Sequence, residues 1–176
     1  MFEVILTIIV FISALLFIYV LIHNKFELAI IKIEKAEDDI DLYLQKKKEL
    51  LERTRPIIQK ELKRKEFMDD LNDSLDDANH FEKHNMLKII YNELFKTIDE
   101  NEKLLKSDSL VTILEELNNN EENIIGAIKF YNDTVVEFNR LVVSFPSNVI
   151  GFLKRYKKMQ FYNNENREIF EILNNK

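Results

Sequence analysis

Cysteine is absent from this 176-residue chain. Its absence excludes disulfides, thiolate nucleophiles, iron–sulfur clusters and cysteine zinc sites, and leaves the redox compartment unreadable. Glycine and proline are scarce, at two each. Loop-forming material is therefore limited, and a glycine-rich phosphate loop is ruled out. Histidine occurs three times, and His23 stands at the edge of the longest apolar run. A net charge of −6 and a pI near 5.2 exclude bulk attraction to nucleic acid. Phe, Ile and Leu dominate the apolar set, which is enough for a real core. The length leaves room for one domain plus an anchor.

Charge is missing altogether from one stretch. From Val4 to Ile22 no charged residue or histidine occurs over 19 positions. As a helix this run is about 28 Å long, which matches a bilayer core. A cleaved signal peptide would want basic residues before the run and small ones after it. Here Glu3 precedes it and His23-Asn24-Lys25 follow, so an uncleaved anchor is expected over residues 1–24, with residues 25–176 as the body. A buried core helix is the alternative, but nearly every face is apolar, which suits lipid better. Lys25, Lys32 and Lys35 follow the run and no Lys or Arg precedes it. The positive-inside bias then puts the body in the cytoplasm and Met1 outside, as a single-pass protein of the cell membrane.

The body is organised around residues 110–145. In alternating steps of three and four run Leu114, Leu117, Glu121, Ile124, Ile128, Tyr131, Val135, Phe138, Val142 and Phe145. This is a heptad seam on one long helix, broken only by Glu121. Ser107-Asp108-Ser109 offers N-cap oxygens, and Pro146 ends the helix by pushing its predecessor out of the α region. Such a helix is about 54 Å long. The rows beside the seam hold Ala127, Thr134 and Leu141 on one side and Ile125, Asn132 and Asn139 on the other. They are small, apolar or amide where a two-stranded coil would carry charges, so more than one neighbour is expected to cover it.

Within that helix, Phe130-Tyr131-Asn132-Asp133-Thr134-Val135, then Phe138-Asn139, then Ser144-Phe145-Pro146-Ser147-Asn148 resemble the signature of the LemA family. In that family a YN…V…(Y/F)N helix runs into an FP corner. Residues 40–51 resemble its other block, an ID-x-x-L stretch with basic residues, an acid and two apolar residues. The family pattern then wants proline where Glu52 stands, and Pro56 comes one turn later. The resemblance implies an all-α bundle behind one N-terminal membrane helix, with no established biochemical activity.

From Phe26 the pattern becomes a stripe of Phe26, Ala29, Ile33, Ala36, Ile40, Tyr43 or Leu44, and Leu51. No glycine or proline separates it from the anchor, so one continuous rod is expected. Residues 53–65 are basic and residues 66–82 acidic, which reads as a solvated face or turn. Asp69 to Ser74 lacks the glycine and closing glutamate of a calcium loop. A second long helix is expected through Met86, Ile90, Leu94 and Ile98 to Leu105, joined by a short antiparallel turn to the organising helix. His80 and His84 could face one metal, but no third ligand is near and two surface histidines are the plainer reading. After Pro146 a short helix carries Val149, Ile150, Phe152 and Leu153 and finishes in Lys154-Arg155-Tyr156-Lys157-Lys158. That basic end either complements the helix dipole or docks on acidic lipid or RNA. Phe161 to Asn174 forms one more amphipathic piece.

No catalytic set, cofactor site or metal site emerges, and an enzyme is not expected. The Glu-x-x-His pairs of di-iron bundles are absent. Asn132 and Asn139 read first as buried amides that fix helix register, and second, with Lys154, Arg155 and Lys157, as a partner-binding surface. The expectation is an all-α protein, an N-terminal transmembrane helix followed by an antiparallel, four-helix-bundle-like body. Its expected role is a scaffold or adaptor acting on a protein partner, with a homo-oligomer left open. The alternative is a membrane-surface or membrane-remodelling module on anionic lipid. If successive helices leave the membrane, return and leave again, the Phe145-Pro146 corner and the basic segment lie roughly tens of ångströms from the bilayer.

Overall fold

The computed structural model describes residues 1–63 and 80–162. They form helices α1 (Phe2–Leu62), α2 (His80–Glu100), α3 (Asp108–Val143) and α4 (Ser147–Leu153), with a 3-10 turn over Glu102–Lys106 between α2 and α3. Among the described residues there is no strand, and the fold is all-α as expected. The acidic stretch between α1 and α2, and the amphipathic piece after Tyr162, lie outside the described residues.

The rod expected from the sequence is α1, unbroken through Pro56. Pro56 is exposed, where its ring meets solvent and not a neighbour. Every residue from Met1 to Leu21 is exposed, and protein packing begins at Ile22. This part of α1 is long and apolar enough to cross a membrane. Its exposure removes the reading as a buried core helix.

Contacts divide the chain into two compact units, a division that cuts across α1 and α3. One contains residues 37–128 and the other residues 1–36 with the chain from 129 onward.

In the 37–128 unit, Ile40, Leu44, Leu51 and Ile58 of α1 are buried, as are Leu94 and Ile98 of α2 and Leu114, Leu117 and Ile124 of α3. α3 runs antiparallel to α1. Arg53 Nη1 meets Glu116 Oε2 at 3.1 Å, Lys47 Nζ meets Glu121 Oε2 at 2.6 Å, and the Asn120 amide donates to the Tyr43 carbonyl at 2.9 Å. Glu121, the break in the α3 seam, thus meets a second break, because Lys47 occupies the turn between Leu44 and Leu51 and is wholly buried. Its ammonium also lies 4.6 Å from the centre of the Tyr91 ring. Opposite charges placed once in each seam favour the register that pairs them.

α2 is shorter than expected. Asn101 stops it by taking both neighbouring carbonyls: its N–H bonds Ile98 O at 3.0 Å and its side-chain amide bonds Thr97 O at 3.0 Å. The side chain replaces the backbone donor that a continuing helix would supply. The 3-10 turn that follows buries Leu104 and leaves Leu105 exposed. Tyr91 Oη donates to Asn118 Oδ1 at 3.1 Å across α2 and α3. Joined by so short a turn, α2 and α3 are antiparallel, so α2 runs in the same sense as α1.

Candidate functional site

The 1–36 and 129–162 unit carries the residues the sequence singled out. α3 again runs antiparallel to α1, with Lys32 Nζ 3.8 Å from Glu137 Oε2. The Phe26 and Phe138 rings meet edge to face at 5.7 Å, and the Tyr156 ring closes on both, at 5.0 Å from Phe26 and 5.8 Å from Phe138. Such contacts add to the burial of two fully buried phenylalanines. α3 ends at Val143 and the corner Phe145-Pro146 carries a cis peptide bond. α4 then turns back beneath α3, so close that a methyl on Gly151 would stand 3.5 Å from Phe26 Cζ.

Asn132 and Asn139 are buried in this unit, and each is engaged by the chain's own backbone. Asn139 is bonded twice to Met159: its amide nitrogen donates to the carbonyl at 2.9 Å and its oxygen accepts from the N–H at 2.8 Å. Asn132 Oδ1 accepts from the Tyr162 N–H at 2.8 Å, and Tyr131 Oη donates to the Gln160 carbonyl at 3.1 Å. Seven helical residues span about 10.5 Å, a distance three extended residues also cover. The Asn-x6-Asn spacing is therefore a clamp on an extended backbone, running antiparallel to α3. The sequence predicts amides that fix helix register. What they hold is the irregular segment after α4.

That segment is fixed at its other end too. Tyr156 Oη donates to Glu27 Oε1 at 3.2 Å, and the same carboxylate oxygen lies 3.7 Å from His23 Nδ1. Burial, then the bond to Glu27, pushes the Tyr156 phenol above its ordinary value. Lys154, Arg155 and Lys157 flank this tyrosine and are exposed. On α4 and its corner, Phe145 (83 %), Phe152 (84 %), Leu153 (68 %) and Val149 (51 %) are exposed as well. Five cations and no acid lie between Glu137 and Glu165 in a chain of net charge −6.

The place of this corner corrects the count of helix directions. Tyr156 and Gly151, which follow it, pack against Phe26 and Glu27, one turn past the end of the apolar run. A reversal at every connection would carry the corner away from the anchor. Among the described residues α1 and α2 share one sense and α3 returns, which brings the chain after it back to Phe26 and Glu27 of α1.

The other features are plainer. Among the described residues no group of three or more His, Asp or Glu is placed to hold a metal ion. His84 is half-buried near Lys47, and its pKa is lowered by burial first and by the Lys47 charge second. The His80 side chain is outside the described ones. Lys47, which no reading of the sequence singled out, is also lowered by burial, against the raising effect of its bond to Glu121. It fills the gap in the α1 stripe between Leu44 and Leu51, a gap that by itself reads as a surface position.

In comparison with known proteins, the model of the LemA family matches residues 36–172, most of the chain. No curated protein and no solved structure matches it.

Proposed function

The chain belongs to the LemA family, and from that premise we propose a single-pass helical bundle whose foot rests on the anionic surface of its own membrane. One observation carries the reading. Phe145, Val149, Phe152, Leu153, Lys154, Arg155 and Lys157 are all exposed around Gly151 and Tyr156, which pack on Phe26 one turn past the end of the apolar run. Water is a poor neighbour for four large apolar side chains in one corner. At an interface they enter the acyl boundary while the cations stay among the headgroups. Each Lys or Arg near an anionic leaflet gains about 1 kcal/mol.

The lysines at 25, 32 and 35 support a cytoplasmic body, with residues 4–22 spanning and Met1 outside. The anionic leaflet and the basic corner then lie on the same side. The protein acts as a non-enzymatic membrane module, and no reaction is assigned to it.

A photoreactive residue in place of Lys154 tests the reading in native membranes. Adducts to lipid headgroups are expected. Adducts to protein alone would overturn it in favour of a partner-docking corner. A scaffold role is the second reading, favoured by a groove of about 560 Å³ between α1 and α2, lined by Asp41, Lys48, Glu52 and Lys83. A partner helix bearing both signs of charge fits such a lining.

A further inference from the structure

The end of α4 has the hydrogen bonds of a Schellman motif. The Tyr156 N–H reaches back to Gly151 O at 2.9 Å, and the Arg155 N–H to Phe152 O at 3.1 Å. These are the six-to-one and five-to-two bonds that satisfy the last carbonyls of a helix. They place Arg155 at the position where the backbone must turn left-handed, and its φ is 58°. Glycine is the usual occupant, because a Cβ there crowds the following carbonyl. This chain keeps a long cationic side chain at the position and so gives up stability that glycine would restore. Arg155 is exposed, and among the described residues no carboxylate is paired with it. Lys154 and Lys157 stand on either side, so the local field favours an anion.

We propose that Arg155 is a headgroup ligand, taking the phosphate of an anionic lipid in the two-bond fork that guanidinium forms and ammonium does not. The inference rests on the membrane-surface reading above and names the residue that recognises the lipid. The left-handed turn, held by two backbone bonds, fixes where the guanidinium leaves the chain. The Tyr156 ring on Phe26 fixes that turn against the foot of α1. Lys154 and Lys157 supply charge without that geometry.

The chain has no tryptophan, so Phe152→Trp in the full-length protein is a single reporter at the corner. It is read in bilayer discs of neutral phosphatidylcholine, with and without anionic phosphatidylglycerol, using brominated acyl chains as quencher. Quenching is expected in both and stronger in the anionic discs. Arg155→Gly is expected to raise the melting temperature by roughly 2–4 °C. It should also lower the docked-to-undocked ratio in anionic discs about five-fold. Arg155→Lys keeps the charge and the backbone cost but not the fork. It should leave the melting temperature unchanged and still lose most of the anionic preference.

Absence of quenching in the parent would sink the membrane-surface reading itself. Quenching that Arg155→Gly or Arg155→Lys leaves undiminished would sink this inference alone. So would a melting temperature that falls in Arg155→Gly, since the left-handed turn would then not be the cost argued. Quenching relieved by a soluble phosphate monoester would move the site from the membrane to a free ligand and overturn the assignment.

Discussion

At the scale of single residues, the buried pair Lys47 and Glu121 decides most. Burial disfavours the ammonium, and the 2.6 Å bond to Glu121 with the Tyr91 ring above it offsets part of that cost. Removing one partner strands the other. Glu121→Leu should therefore destabilise the protein by about 3 kcal/mol, the lower end for a broken buried pair, because Glu121 is a quarter exposed. Lys47→Met combined with Glu121→Leu should recover most of the loss in denaturant titrations. A double variant as unstable as the single one would mean that packing, not charge, sets the cost.

His84 reports on the same core through pH. Its folded pKa lies below 6.5, so as pH falls through 6.5 the unfolded chain takes up a proton before the folded one does. Stability contributed here is present above 6.5 and declines toward acid. His84→Gln should flatten that part of the melting-temperature profile, and an unchanged profile would refute the burial. Of this cluster, Glu121 was legible in the sequence as the one break in its seam. Lys47 was not, since a lysine between two leucines reads as a surface position until its partner is known. The amide clamp was equally hidden. Asn132 and Asn139 stood out by their spacing, but their partners lie in an irregular segment with no periodicity to announce it.

At the scale of elements, hydrophobic period was the strong signal and helix ends the weak one. Phe26, Ala29, Ile33, Ala36 and Ile40 in α1 are all buried, as are Leu117, Ile124, Val135 and Phe138 in α3. The seam predicts Phe145 as its last step, but α3 stops two residues earlier and leaves it exposed. The end of α2 turned on the competition of one asparagine side chain with the backbone, which periodicity does not report. Two substitutions in α3 separate face from propensity. Ile128→Asp buries an unpaired charge and should unfold the bundle, whereas Lys129→Glu, on the exposed side, should change stability by less than about 0.5 kcal/mol. Gly126 is exposed and has nothing within 4 Å of where a Cβ would stand. Gly126→Ala should therefore stabilise by about 0.5–1 kcal/mol through helix propensity alone. A loss measured by thermal melting would mean that this face is covered in the native assembly.

At the scale of the whole molecule, the consequential step is the sense of each helix, and sequence patterns do not carry it. Hydrophobic periodicity is the same for a helix read in either direction. The connection between α1 and α2 lies outside the described residues, so only side-chain pairs such as Arg53 with Glu116 and Lys32 with Glu137 fix the return of α3. That return brings the basic segment beside Phe26 and Glu27 of α1, so the proposed headgroup contact depends on the side on which the body lies. With no native cysteine, single exposed replacements report that side on a clean background. Ser109→Cys serves for the body, whereas Ser147, buried and bonded to Ser144 O at 2.8 Å, would report its own burial instead. In intact cells Ser109→Cys should resist a membrane-impermeant maleimide and react once the membrane is opened. A cysteine at Phe2, ahead of the apolar run, should show the reverse. Rapid labelling of Ser109→Cys in intact cells would put the body outside, away from the anionic leaflet. The basic corner would then need another acidic partner.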